Sequence, residues 1–398
     1  MAVRKLKNYI DGKWCDPMGA QYIDVENPST GDVIAQAPLT SREETNRAIE
    51  AAHRAYQSWR NVPVARRTEY LFKLLSFLRE DEDKISRILV EEMGKSLPDA
   101  SAEMKRVFEN VEVACGMSVL QQGDKLIGAS FEMDGEVIRL PMGVFTMIAP
   151  FNFPAMVPFW FLPYAIATGN TFVLKASKQV PCTMNYITEL IDRTGLPAGV
   201  FNLVNGDKTV ADAFMDHPLV IGVSLVGSTP TCREVAKKCA SNGKRFQAMG
   251  SAKNHLVVMP DARIPEVIRN MITSCFGCAG QRCMAASAIV CVGDEVYETV
   301  CREFVEAAKK VIVTNPLDPA VAHEPMVMGP VISAKAKAFI LEMIETGIKE
   351  GAKLLLDGRN ITVKAYEKGY YIGPTIFTEV RPGMKIHQTE IFGPVVVI

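Results

Sequence analysis

The sequence predicts an α/β protein with a mostly parallel sheet and helices on both faces. Three observations carry that prediction. From Val144 onward, short apolar runs alternate with segments of helical period, the pattern of strands joined by helical crossovers. The rhythm restarts after Gly250, so a second unit of the same kind follows the first. The chain has 398 residues, 48% hydrophobic and 22% charged, enough for two or three domains.

Taken in order, the N-terminal stretch is polar and turn-rich, as at Asn27-Pro28-Ser29-Thr30-Gly31-Asp32. Ser41-Arg42-Glu43-Glu44 has capping-box spacing, and Ala48, Ile49, Ala52, Tyr56 and Trp59 follow at helical steps. Pro63 opens a second helix with Tyr70, Leu71, Leu74, Leu75 and Leu78 on its apolar side. A third helix spans about Leu97 to Val119. Lys125 to Pro141 alternates apolar and polar around Asp134-Gly135, a hairpin signal. Strands are expected at Val144–Ala149, Thr171–Leu174, Phe201–Val204 and Ile221–Val226. Helices are expected at Ala155–Thr168 and Thr183–Thr194. After Gly250 come a strand at His255–Met259, a helix at Pro265–Ala279 and a strand at Ala288–Val292. Helices near Val296–Val311 and Ser333–Gly351 follow. The chain ends within an apolar strand pattern, Gly393 to Ile398, which reads as a polypeptide that continues.

A formal net charge of -1 gives no reason to expect nucleic acid or an anionic membrane as partner. No apolar run is long enough to span a bilayer, and the N-terminus lacks a signal-peptide core. Ten scattered cysteines in such a chain read as reduced thiols. A cytoplasmic protein is expected, with a mitochondrial matrix form after leader removal as the alternative. Cys275 and Cys278 form a CxxC without a second pair at zinc spacing, so no metal site is expected.

Cys283 follows Phe276-Gly277-Cys278-Ala279-Gly280-Gln281-Arg282, where small residues leave a thiol accessible and Arg282 would favour the thiolate. The competing reading is an inert buried cysteine. Asn152 lies just beyond a strand, in Ala149-Pro150-Phe151-Asn152-Phe153-Pro154, where an amide can donate to an oxyanion; an ordinary turn asparagine fits as well. Lys175 ends the next strand within reach of a ribose hydroxyl, or is a solvated strand end. Ser228 opens a helix, where it can meet a pyrophosphate or simply cap.

Together these segments, with Glu390-Ile391-Phe392-Gly393-Pro394, resemble the aldehyde dehydrogenase superfamily over essentially the whole chain. Within it the chain is most similar to the CoA-acylating methylmalonate-semialdehyde dehydrogenases, through Ala149 to Pro154, Gln247-Ala248, Ala252-Lys253-Asn254-His255, Gly280 to Met284, and Arg106 followed by Glu109-Asn110-Val111-Glu112. The resemblance implies Cys283 as nucleophile and Asn152 with the Cys283 N–H as oxyanion donors. It places Ala149, Phe151, Lys175, Ser228 and Glu390 on NAD, with coenzyme A as co-substrate. Arg106 and Arg282 would hold a carboxylate on a small aldehyde substrate. For Arg106 the alternative is a surface arginine paired with Glu103 or Glu109.

Departures from the family shape the expectation further. Met249 stands where hydrolytic members carry the glutamate that activates water, which favours thiolysis by CoA. Cys232 replaces the second glycine of the pyrophosphate loop. Lys178 and Gln179 replace a Glu and an Arg beside the adenosine ribose, which opens NADP as an alternative to NAD. The implied domains are a Rossmann-like cofactor domain at 1–122 and 142–249, an oligomerisation hairpin at 123–141 and a catalytic domain at 250–398. A homo-oligomer, dimer or tetramer, is expected. A hydrolytic aldehyde dehydrogenase and an inactive scaffold of the same fold are the alternative functions.

Overall fold

Ser41 closes the N-terminus of the first long helix from both sides. Its Oγ accepts the Glu44 N–H at 3.2 Å, and its own N–H reaches Glu44 Oε2 at 3.4 Å. The helix runs Arg42–Trp59 with Ala48, Ile49, Ala52, Tyr56 and Trp59 buried, as the spacing predicts. Val64–Glu80 follows directly behind Pro63. The computed structural model describes residues 3–321, 324 and 326–398.

The chain divides into two compact units. The first holds Met1–Val25, Ala35–Ile85 and Ala102–Gly250; the second holds Glu26–Ile34, Ser86–Ser101 and Ser251–Ile398. Residues 26–34 and 86–101, which the sequence pattern assigns to the first domain, therefore belong to the second unit. In the first unit a seven-stranded sheet runs in the order Arg245–Met249, Val220–Val226, Val144–Ile148, Thr171–Lys175, Phe201–Val204, Asn8–Ile10 and Lys13–Cys15. The first five strands are mutually parallel, and the last two join antiparallel at the edge. The central strand Thr171–Lys175 is buried along its whole length, as covering helices on both faces require.

The second unit carries a five-stranded sheet in the order Asn254–Val258, Ala286–Cys291, Val395–Val397, Thr375–Thr378 and Lys353–Leu356. Only the last pairing is antiparallel. Phe276 and Phe304 stack at 5.6 Å beneath it, both fully buried, each burial contributing roughly 1.5–3 kcal/mol.

Several elements differ from expectation for local reasons. The helix predicted over Ala155–Thr168 is two short pieces, Met156–Phe159 and Leu162–Ala167, because Pro158 and Pro163 cannot donate backbone hydrogen bonds. The helix from Leu97 stops at Cys115 and restarts at Met117–Leu120 beyond Gly116. A helix at Glu82–Met93 has no counterpart among the expected elements. The hairpin strands are Lys125–Ser130 and Met133–Glu136, so the turn falls at Phe131-Glu132, with Glu132 at φ 57°. Asp134 sits inside a strand and accepts the Gly128 N–H at 2.9 Å. The hairpin exposes Ile127 at 77% and Phe131 at 95%. No helix among the described residues is long and apolar enough to cross a membrane.

Candidate active site

In the second unit the helix Ile264–Phe276 ends at Gly277, and the chain then takes three successive left-handed residues, Cys278, Ala279 and Gly280, at φ 51°, 53° and 70°. Two of these carry side chains, a conformation costing on the order of 1 kcal/mol each that persists only where neighbours enforce it. Gly280 has no alternative, since a Cβ there would lie 2.1 Å from the Gly393 carbonyl oxygen. Gln281 is buried and clamps the turn. Its Nε2 donates to the Cys278 carbonyl at 3.1 Å, and its Oε1 accepts the Ile332 N–H at 2.9 Å. Cys283 follows, half-buried. Asn254 Nδ2 donates to the carbonyls of Cys283 at 2.8 Å and Ala285 at 3.0 Å. The cysteine backbone is thus fixed on both sides.

Burial pushes the Cys283 thiol above its ordinary pKa, and the Glu390 carboxylate adds to the shift; the N–H groups of Cys283 and Met284 act in the opposite direction. Arg282 has no part in this. Its Nη2 pairs with Asp99, its Nε donates to the Cys278 thiol at 3.4 Å, and its Nη1 donates to the Thr273 carbonyl at 3.3 Å. Gly277 makes room, because a Cβ there would stand 2.4 Å from the Arg282 Cζ. Cys278 is itself a poor nucleophile: burial and Asp99 push its thiol up to about 11. Glu390 Oε1 accepts the Ala252 N–H at 3.2 Å. Lys253 Nζ donates to the Thr389 carbonyl at 3.2 Å, and burial pushes its ammonium down to about 8 against the pull of Glu390.

In the first unit the strand Val144–Ile148 delivers Ala149, whose N–H donates to the Lys175 carbonyl at 3.0 Å. Asn152 follows in the turn and is buried. Glu103, also buried, accepts the N–H groups of Ala155 at 2.9 Å and Met156 at 3.0 Å and so holds the far side of that turn. Arg106 sits on the same helix but pairs with Glu109 at 2.6 Å, its side chain 66% exposed. Asn110 Nδ2 donates to the Arg106 carbonyl at 2.8 Å.

Four of the expected cofactor residues, Ala149, Lys175, Lys178 and Gln179, line one cavity of about 360 Å³, together with Asp207 and Glu234. Lys175 closes its strand almost fully buried, with Nζ donating to the Ala176 carbonyl at 3.2 Å. Burial pushes its ammonium down to about 8; Lys178 acts in the same direction and Asp207 opposes. An ammonium has three donors, so the buried group retains capacity for the hydroxyls of a ribose. Phe151 and Ser228 are not among the lining residues. Ser228 is exposed at the N-cap of Thr229–Ser241, its Oγ 3.0 Å from the Thr231 Oγ1. Cys232 is turned inward: its thiol donates to the Gly227 carbonyl at 3.6 Å and packs in the core. A larger cavity of about 660 Å³, lined by Phe145, Trp160, Tyr164 and Phe246 among others, touches none of the candidate residues.

A half-buried cysteine just beyond a left-handed turn and a parallel-sheet unit with a lysine-walled cavity mark an α/β protein with a candidate nucleophile. The chain belongs to the aldehyde dehydrogenase family, whose model matches residues 14–398. It is 44% identical over 392 residues to malonate-semialdehyde dehydrogenase 3 of Geobacillus kaustophilus, covering 98% of this chain and 80% of that protein. The structure of methylmalonate-semialdehyde dehydrogenase from Oceanimonas doudoroffii superposes with a TM-score of 0.95 at 37% identity, covering 99% of this chain and 80% of that one. An NAD+ complex of aldehyde dehydrogenase from Bacillus cereus gives 0.92 at 30% identity, covering 99% and 79%. The protein is an oxidoreductase acting on aldehydes that uses NAD(P).

Asp99, Lys253 and Asn254 in the second unit and Glu103 in the first fix the backbone around the candidate residues of their own units without having stood out as functional residues in the sequence. Asn254 lies in the Lys-Asn motif and could have been found there. Asp99 and Glu103 act across long sequence separations that no local pattern marks.

Proposed function

We propose that the protein is a CoA-acylating dehydrogenase of malonate and methylmalonate semialdehydes. The observation that carries the reading is Met249, exposed at the end of the strand Arg245–Met249. A thioether cannot take a proton from water, whereas the thiol of CoA, with a pKa near 8.5, supplies some thiolate unaided. The relatives named for malonate and methylmalonate semialdehyde support the substrate class.

In this reading the Cys283 sulfur attacks the aldehyde carbon, and the Asn152 amide and the Cys283 N–H donate to the developing oxyanion. The bound nicotinamide dinucleotide supplies the hydride acceptor. Lys175 would orient its ribose hydroxyls and Ala149 would flank it, while Glu390, Phe151 and Ser228 are assigned to it by the family resemblance alone. Cys283 is left carrying a β-carboxy acyl thioester. That thioester stabilises the carbanion formed on loss of CO2 as an enolate, which takes up a proton. The CoA thiol then attacks the thioester and releases Cys283, giving acetyl-CoA or propionyl-CoA. Of the two arginines assigned to the substrate carboxylate, Arg106 is solvent-facing and Arg282 is closed on Asp99. The exposed apolar residues of the hairpin support a homo-oligomer, which light scattering checks.

The test is reduced dinucleotide formation from malonate semialdehyde with and without CoA, with products identified by mass spectrometry. Acetyl-CoA and CO2 with strong CoA dependence are expected. Equal rates without CoA and a free acid product would establish the hydrolytic alternative, and no turnover under either condition would leave the scaffold alternative.

A further inference from the structure

Arg282 to Ala285 form a turn closed by the Ala285 N–H, which donates to the Arg282 carbonyl at 3.1 Å. Cys283 and Met284 are its two central residues, and the peptide between them takes no part in that bond. This peptide is planar and trans, so its carbonyl, on Cys283, and its N–H, on Met284, point in opposite directions. Fixing one fixes the other. Asn254 does so from the start of the strand Asn254–Val258, which pairs with Ala286–Cys291. Its Nδ2 donates one hydrogen to the Cys283 carbonyl at 2.8 Å and the other to the Ala285 carbonyl at 3.0 Å. Both acceptors are carbonyls, so the nitrogen of the amide and not its oxygen faces the turn.

The other end of the same peptide bears on the nucleophile. Arg282 is closed on Asp99. The groups that favour a Cys283 thiolate are the N–H groups of Cys283 and Met284, acting against burial and Glu390. We propose that Asn254 is a positioning residue for the nucleophile: by holding the Cys283 carbonyl it keeps the Met284 N–H turned to the Cys283 sulfur and so favours the thiolate. This rests on reading Cys283 as the nucleophile. Met284 is 80% exposed, so its side chain gives the peptide little packing to hold it. The second bond, to Ala285, keeps the turn from pivoting about the first. An N–H that donates to an ionised acceptor is worth more than one between neutral groups. Losing its aim therefore weakens the thiolate and leaves the thiol little changed.

The experiment is alkylation by iodoacetamide from roughly pH 6 to 10, followed on the Cys283 peptide by mass spectrometry, in the parent and in Asn254→Ala. The variant is expected to react about tenfold more slowly near neutral pH and to converge on the parent at high pH, where the thiol of both is ionised. At saturating dinucleotide, kcat/KM for propanal, which reports the free enzyme, should follow the same pair of profiles. Asn254→Ser keeps one donor and is expected to give a smaller change of the same sign, which decides the question if Asn254→Ala does not fold. Urea unfolding establishes that each variant is folded. A folded variant with the parent's pH profile overturns the proposal. A variant slowed equally at every pH makes Asn254 a structural residue and also overturns it. Turnover retained by Cys283→Ser overturns the nucleophile reading and the proposal together.

Discussion

Arg282 is the residue before Cys283, yet its guanidinium is closed on Asp99 and on the Cys278 thiol. The cation nearest the nucleophile in sequence therefore holds the left-handed turn and does not act on the Cys283 sulfur. Both partners of the pair are largely buried, with side chains 22% and 18% exposed. Removing one strands the other's charge. Asp99→Ala is expected to destabilise the protein by about 3 kcal/mol. Adding Arg282→Met in that background should recover part of the loss. Urea unfolding of the two single variants and the double variant measures this; strictly additive effects would show that the pair is not coupled.

The same arrangement fixes how Cys283 responds to pH. With Arg282 turned to Asp99, burial and Glu390 push the thiol above its ordinary range. Its alkylation by iodoacetamide should accelerate as pH rises past the ordinary thiol range. Glu390→Gln removes a negative charge that opposes the thiolate, so the profile should move to lower pH. A profile unchanged by Glu390→Gln would place the carboxylate too far away to matter.

Lys175 links cofactor binding to stability with a definite sign. Its folded pKa of about 8 lies below the ordinary 10.5. Between those values the unfolded chain binds the proton more tightly, so stability rises with pH across that window. Below pH 8 the penalty is present in full, on the order of 3 kcal/mol. Lys175→Met should therefore unfold at higher urea than the parent at pH 7, with the difference closing towards pH 10.5. The same variant should lose dinucleotide affinity. A variant less stable at pH 7 would mean that the ammonium makes interactions strong enough to outweigh its burial.

Much of this was legible in the sequence because it is local. The Ser41–Glu44 box, the proline at the start of the second helix and the alternation of strands with helices all act within a turn or two. The glycines around Cys283 likewise marked a special backbone. The pairs that organise the site are not local. Asp99 lies 183 residues from Arg282, so its carboxylate reads in sequence only as an acidic first turn. The helix Glu82–Met93 follows its predecessor with Asp81 alone between them, and no glycine or proline divides the pattern. The strand Arg245–Met249 is only five residues long and largely exposed, so the alternation of Phe246 and Ala248 with Arg245 and Gln247 is too short to announce it.

Arg106 carries the last prediction, because its surroundings set the size of the effect. A fully buried guanidinium facing a substrate carboxylate would be worth several kcal/mol, but this side chain is 66% exposed and already paired with Glu109. A charge-assisted contact that must displace such a partner in a solvated setting contributes about 1.4 kcal/mol, a tenfold change. Arg106→Leu is accordingly expected to raise KM for malonate semialdehyde about tenfold and to leave propanal, which has no carboxylate, unaffected. Glu109→Gln removes the competitor, and KM for the semialdehyde should fall while propanal again stays unchanged. Steady-state kinetics with the two aldehydes separate the outcomes. Equal losses on both substrates would make Arg106 a helix-stabilising residue and would remove it from the substrate site.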